Sequence, residues 1–355
     1  MGDPADSRTS ARAVGHPARV PHLDKQPGVS YAFTREGMEL PVIDVTHPAF
    51  ALEVSDAELA ARAEEYRRQM AGFERLPGVL RRPLLRILLG RSRMGRSLLD
   101  ASGGFLGGLD TYRMKLGPDN LGPWATAADR RFVSALPPTA MRLRLQDMAR
   151  LLADAIGPQL DSRPGVRLSF LNIAGGPAMD SLNALILLHR SDGAALAGRP
   201  ITIEVFDQDE DGPAFGGSSL EALTAPGGAL HGLEIRFSHV PYDWRHTETL
   251  ERTAADLRVR EGICAVSSEG GLFEYGDDEE IVTNLAAIGR ATADGTVVAG
   301  SVTRQTSTRP GQHPLRLAVR PRSLEAFRTL AARGGWAVER AIERPASYNV
   351  RLARG

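Results

Sequence analysis

The stretch Arg167-Leu-Ser-Phe-Leu-Asn-Ile-Ala-Gly-Gly-Pro-Ala-Met-Asp180 reads as a strand running into a glycine turn, and Ser181 to Leu188 continues as a helix. Such a joint lets the backbone approach a ligand closely and leaves free amides at the helix start, so it marks a binding site. The turn is not Gly-x-Gly-x-x-Gly, which argues against a dinucleotide pyrophosphate cradle. The chain has two lysines, Lys25 and Lys115, and neither ends a Gly-x-x-x-x-Gly-Lys-Ser/Thr loop. No His-Glu-x-x-His helix or Gly-x-Ser-x-Gly elbow occurs, and Tyr112-Arg-Met-Lys115 is one residue short of a Tyr-x-x-x-Lys pair. Tyr112, Glu269, Glu274, Tyr275 and His239 are the candidate proton acceptors, although His239 on an apolar run is more simply a structural imidazole. With one cysteine, Cys264, the chain forms no internal disulfide and no cysteine-based zinc site, and no metal is expected.

The elements that must position these groups follow from periodicity and punctuation. Residues 1–39, rich in Pro, Gly, Ser and Arg, are expected to be a flexible tail. Residues 40–157 read as a helical subdomain. Ser55-Asp-Ala-Glu58 has the form of a capping box, ahead of Leu59, Ala63, Tyr66 and Met70 on one stripe. A second helix, introduced by Thr139 and closed by Gly157-Pro158, aligns Met141, Leu145, Met148, Leu152 and Ile156. Gly107 to Asn120, which holds Tyr112 and Lys115, is placed near the mouth of the site. Between these lies a basic run, Arg81, Arg82, Arg86, Arg91, Arg93 and Arg96, interleaved with Leu84, Leu85, Ile87, Leu88 and Leu89. The expectation is a helix that packs its apolar face and leaves its arginines in water.

From 158 to 355 short apolar runs alternate with helical stretches, the pattern of a largely parallel α/β sheet. The seven expected strands are 167–173, 201–206, 233–240, 263–267, 296–301, 336–343 and 347–352. Only Arg344, Pro345 and Ala346 separate the last two, which predicts an antiparallel hairpin.

Strand, glycine turn, helix, a second strand ending in Asp207, a third followed by Tyr242-Asp243-Trp244, a fourth ending in Ser267-Ser268-Glu269 and a closing hairpin: this order resembles the class I S-adenosylmethionine-dependent methyltransferases. The resemblance covers roughly residues 160–355 and implies a doubly wound, Rossmann-like seven-stranded sheet. That family's turn commonly reads acidic-x-Gly-x-Gly-x-Gly, and the matching positions are Asn172, Ala174, Gly176 and Ala178, with Gly175 adding flexibility. Asn172 is a neutral substitute for the acid. The resemblance implies S-adenosylmethionine as cofactor, held by Asn172, Gly175, Gly176, Asp207, Gln208, Asp243, Trp244 and Ser267. Asp207 would take both ribose hydroxyls, Asp243 the adenine amino group and Trp244 the ring face. Ser267 and Glu269 would border the sulfonium, with Tyr112 and Glu269 as catalytic candidates. It further implies methyl transfer to a small-molecule acceptor. Attack on the aminocarboxypropyl arm, with release of methylthioadenosine, and a non-catalytic cofactor-binding protein are the alternatives.

Lys plus Arg and Asp plus Glu each number 43, so the formal charge is zero and the electrostatic case for a nucleic-acid binder disappears. No signal peptide or spanning run is evident, so a cytoplasmic protein with no membrane partner is expected. The helical region is expected to act as a cap or an oligomerisation element, a homodimer included.

Overall fold

The computed structural model describes residues 18–101, 104–305 and 317–355. An antiparallel pair, β1 (Tyr31–Phe33) and β2 (Glu39–Pro41), precedes a run of helices. The main sheet then contains β3 (Leu168–Ile173), β4 (Ile201–Asp207), β5 (Ile235–Pro241), β6 (Ile263–Ser268), β7 (Val297–Thr303), β8 (Trp336–Glu343) and β9 (Ser347–Arg354). Their order is β5-β4-β3-β6-β7-β9-β8, with β9 antiparallel to both its neighbours and the rest parallel. This is the expected doubly wound, Rossmann-like seven-stranded sheet with its terminal hairpin. Chain order reverses at β3, which sits between β4 and β6, and a crevice opens at such a switch point outside the carboxyl ends of the strands. All seven expected strands form, to within a few residues at each end. Central strands β3 and β6 are buried along their whole length, as parallel strands covered on both faces must be.

Two apolar clusters cover the two faces. On one, Met148 and Leu152 from the helix Leu136–Ser162, Leu182 and Ile186 from the helix Met179–Ser191, and Phe215 pack against Phe170, Ile203 and Val205. On the other, Leu250, Ile281, Leu285, Ile288 and Phe327 cover Leu171, Phe206 and Val266.

Several expectations are corrected. The flexible tail is ordered from its described start: Val20 bridges to Met38, the buried His22 donates its amide to Glu39 at 2.8 Å, and Gln26 donates to Asn120 at 2.7 Å. These are backbone and polar side-chain bonds, which hydrophobic periodicity cannot report. Residues 1–17 lie outside the described residues. The expected boundary at 157/158 is not a break, because the helix runs from Leu136 to Ser162 with Pro158 inside it. Leu40, Val42, Ile43 and Tyr112 also share one core with the sheet. The expected capping box forms, with Ser55 Oγ accepting from Glu58 at 3.2 Å and Glu58 taking the Ser55 amide at 3.0 Å. The basic helix, Gly78–Gly90, departs from the expectation on its apolar side: Leu85 and Leu89 are half-buried, but Val79, Leu80, Leu84, Ile87 and Leu88 point to solvent.

Candidate functional site

The glycine turn is held open by left-handed backbone at Ala174, Gly176 and Ala178, with φ of 52°, 57° and 52°. Two of these are alanines, for which that conformation costs roughly 1 kcal/mol or more each, so the turn is a strained joint. Its position is fixed from two sides. The Gly176 amide donates to Asp207 Oδ2 at 2.9 Å, which brings the turn and the carboxylate ending β4 together. A Cβ on Gly176 would lie 2.7 Å from the Cα of Gly108, so glycine is required there for the chain to cross. Gly108 in turn donates its amide to Asp209 Oδ2 at 3.0 Å. Asp207 Oδ1 accepts the Asp209 amide at 2.9 Å. Burial pushes the Asp207 carboxyl above its usual range, against the opposing pull of the Asp209 and Gly176 amides.

Beneath the turn lies a polar cluster that is fully enclosed. Asn172 donates through Nδ2 to Asp180 Oδ1 at 2.7 Å and to Ser267 Oγ at 2.9 Å. Asp180 also takes the Ser181 amide at 2.8 Å. Asn172 Oδ1 and Asp180 Oδ2 are buried without a hydrogen-bond partner. A Cβ on Gly175 would lie 2.1 Å from Asn172 Oδ1, so the asparagine oxygen sits directly against the turn. Burial, reinforced by the charge of Glu269, pushes the Asp180 carboxyl up to about 6.

Glu269 is placed differently from its expected role as a catalytic group. Its two oxygens are taken by Lys115 Nζ and by Arg144 Nε, and Arg144 continues to Glu274 at 2.6 Å, which also accepts from Thr303 at 2.9 Å. Burial raises the Glu269 carboxyl, but the charges of Lys115 and Arg144 outweigh it and hold the group below its usual range. A carboxylate held in this way is a poor proton acceptor. Tyr112 is likewise a packing residue: it is 1% exposed, lies against Phe215 with centroids 4.7 Å apart, donates to Pro41 O and accepts the Ile43 amide at 3.1 Å. Burial pushes its phenol far up. Both candidate bases are thus engaged by neighbouring groups, Tyr112 by packing and backbone hydrogen bonds and Glu269 by two cations.

At the mouth, the half-buried Trp244 faces Phe105 at 6.2 Å, and Phe105 meets Tyr275 at 5.0 Å. Burial pushes the Tyr275 hydroxyl up to about 12. Asp243, half-buried beside Trp244, accepts from Arg245 Nε at 2.9 Å, and Gln208 is exposed. His239 places Nε2 2.9 Å from Asp207 O, in keeping with a structural imidazole.

The structure thus gathers Asn172, Gly175, Gly176, Asp207 and Ser267 at the carboxyl ends of β3, β4 and β6, with Asp243 and Trp244 past the end of β5. It leaves Tyr112 in the core and Glu269 in an ion-pair network. Asp209, the alternative to Asp207 should the strand end two residues later, and the Gly107-Gly108 joint were within reach of the sequence, whereas Asp180, Arg144 and Phe105 were not assigned to the site. For these three the one available signal was the acid eight positions after Asn172. A cavity of about 870 Å³ lies at the other end of the strands, by Thr202 and Arg236. Its Arg167 and Arg199 are committed to main-chain carbonyls at 2.9 Å and 3.0 Å, so it is a structural joint.

No protein-family model matches the sequence, and no curated protein matches it. Among solved structures, a possible exported protein from Bordetella parapertussis superposes with a TM-score of 0.52 at 21% identity, covering 85% of this chain and 97% of that one. This likeness concerns the fold. The mitomycin 7-O-methyltransferase MmcR aligns with a TM-score of 0.39 at 16% identity over 85% of this chain and 74% of that one. The magnesium protoporphyrin IX methyltransferase of Synechocystis PCC 6803, with bound S-adenosylhomocysteine, gives 0.38 at 13% identity over 62% and 87%.

Proposed function

We propose that this protein is an S-adenosylmethionine-dependent methyltransferase acting on a small-molecule acceptor. The observation that carries the reading is the 2.9 Å bond from the Gly176 amide to Asp207 Oδ2 at the switch point of the sheet. It brings an adenosine-binding carboxylate against a close-approach turn, where an open α/β sheet takes its ligand. The residues fit the cofactor. Asp207, beside Gln208, retains acceptor capacity on both carboxylate oxygens for the ribose hydroxyls. Trp244 and Phe105 supply faces for the adenine, and Asp243 an acceptor for its amino group. Asn172 Oδ1 and Asp180 Oδ2 are two orphaned acceptors beside Gly175 and Ser267, suited to an ammonium group at the amino-acid end.

When bound, the cofactor supplies an activated methyl group. The chain's own contribution is to orient the acceptor and exclude water, because Tyr112 and Glu269 are both engaged elsewhere. An acceptor whose nucleophile is unprotonated at working pH, such as a phenolate, thiolate or free amine, suits a site of this kind. The helical segment containing Gly107 and Gly108 acts as its cap. Calorimetry is expected to show saturable binding of S-adenosylmethionine and S-adenosylhomocysteine, lost in Asp207→Ala. Labelled cofactor incubated with cell extract is expected to leave S-adenosylhomocysteine. Methylthioadenosine would instead assign the reaction to the aminocarboxypropyl arm, and a folded protein that binds neither nucleoside would overturn the proposal.

A further inference from the structure

The helix Gly78–Gly90 carries its apolar residues on the outside. Val79 is 81% exposed, Leu80 54%, Ile87 56% and Leu88 52%, and Leu84 is also open to solvent. At about 100° per residue these five, with Pro83 between them, occupy one continuous arc of roughly 180°. The opposite side holds Leu85 and Leu89, which are half-buried against the protein. Single exposed leucines need no explanation, but five in a contiguous arc on a helix about 20 Å long do.

The sequence that carries the arc is basic. No acidic residue occurs from Arg75 to Leu99, and Arg86, Arg91, Arg93 and Arg96 are exposed. Among the described residues none of these four has an ion-pair partner. The chain as a whole is neutral, so this concentration of unbalanced charge is local. Two copies meeting face to face would bring both sets of arginines together, and like charges at an interface oppose association. An anionic surface with an apolar interior satisfies both features: the arc enters the acyl boundary while the arginines meet headgroup phosphates.

We propose that the helix Gly78–Gly90, together with the arginines of the following helix Arg93–Asp100, is a docking surface for anionic lipid membranes. The protein rests on the membrane without crossing it, since among the described residues no helix is long and apolar enough to span. The surface lies in the helical region ahead of β3, so its occupancy is independent of whether the cofactor reading is right.

The test is flotation of the full-length protein with vesicles of phosphatidylcholine alone and of phosphatidylcholine with about 30% phosphatidylglycerol. Each arginine near an anionic surface strengthens partition about fivefold, so preference for the anionic vesicles is expected to exceed tenfold. Leu84→Glu with Ile87→Glu is expected to abolish binding, because it places charge in the middle of the arc. Arg86→Gln with Arg93→Gln is expected to lower the anionic preference about 25-fold, at fivefold per charge, and to leave binding to neutral vesicles unchanged. All four positions are solvent-facing, and unchanged circular dichroism would confirm folding. Equal partition to both vesicle types would overturn the proposal. So would a wild-type dimer that Ile87→Glu dissociates while neither form binds lipid.

Discussion

Replacing Asp180 by Asn should make the protein more stable at neutral pH and less able to hold the amino-acid end of its ligand. The Asp180 carboxyl titrates near 6, against an ordinary 3.8, because burial and Glu269 disfavour its charge. A gap of roughly two units corresponds to about 3 kcal/mol. The sign follows from the raised value. The carboxyl's contribution to stability is fully present below about pH 4, and it is lost as pH rises through about 6. At neutral pH the parent therefore carries the full cost, which the neutral amide avoids. Asn can still accept the Asn172 and Ser181 hydrogen bonds that Asp180 Oδ1 takes at 2.7 and 2.8 Å. For a chain of this size the gain is about 4 °C in Tm at pH 7, falling to nothing near pH 4, read by calorimetric melts across that range. Isothermal titration supplies the second readout: affinity for S-adenosylhomocysteine should fall at least tenfold, while that for methylthioadenosine, which lacks the amino-acid end, should not change. A stability difference that is independent of pH, or a variant less stable than the parent at pH 7, would refute the assignment of Asp180 as an under-compensated buried charge.

Glu269→Gln is expected to act in the opposite direction. It strips Lys115 and Arg144 of a counter-charge inside the protein and should cost about 3 kcal/mol or more in urea unfolding. Because the Glu269 carboxyl is held below its usual range, its stabilisation is present at neutral pH and is lost as pH falls into the acid range, so parent and variant should converge there. Gly108→Ala puts a Cβ 2.6 Å from the Gly176 Cα, backbone against backbone, and should cost about 1–3 kcal/mol, with faster proteolysis between residues 100 and 110. Tyr112→Phe removes the bonds to Pro41 and Ile43 and should lower stability by about 1–2 kcal/mol. The kcat of the folded fraction should be unchanged, since a lower kcat would return Tyr112 to the chemistry.

The parallel strands were legible because their burial on both faces leaves continuous apolar runs, and the pairing of β8 with β9 because three residues allow little but a hairpin. The ordered tail was not legible, because Glu39 holds it by accepting from the His22 amide and from Lys25, and such polar bonds leave no period in the sequence. Helix Gly78–Gly90 was expected to bury Leu84, Leu85, Ile87, Leu88 and Leu89 together, and only Leu85 and Leu89 turn toward the protein while Arg86 stays in water as expected. Periodicity separates apolar from charged residues, but which face turns inward depends on the partner available, and here Leu85 and Leu89 suffice for the contact.

At the candidate site the distinction is sharper. The turn and Asp207 could be read because each ends a strand at a position that topology dictates. The fate of the acidic residues could not, since it depends on which side chains from distant segments arrive beside them. Lys115 and Arg144 come from helices 154 and 125 positions before Glu269 and neutralise it. Asp180 feels Lys115 only as a minor charge, has no ion-pair contact among the described residues and keeps an oxygen without a partner. It is tied to the expected acid position by the 2.7 Å bond that Asn172 donates to it. Two buried carboxylates in one small region thus differ in compensation. The compensated one holds the fold together, and the uncompensated one, costly to bury, is where a cationic ligand group would gain most by binding.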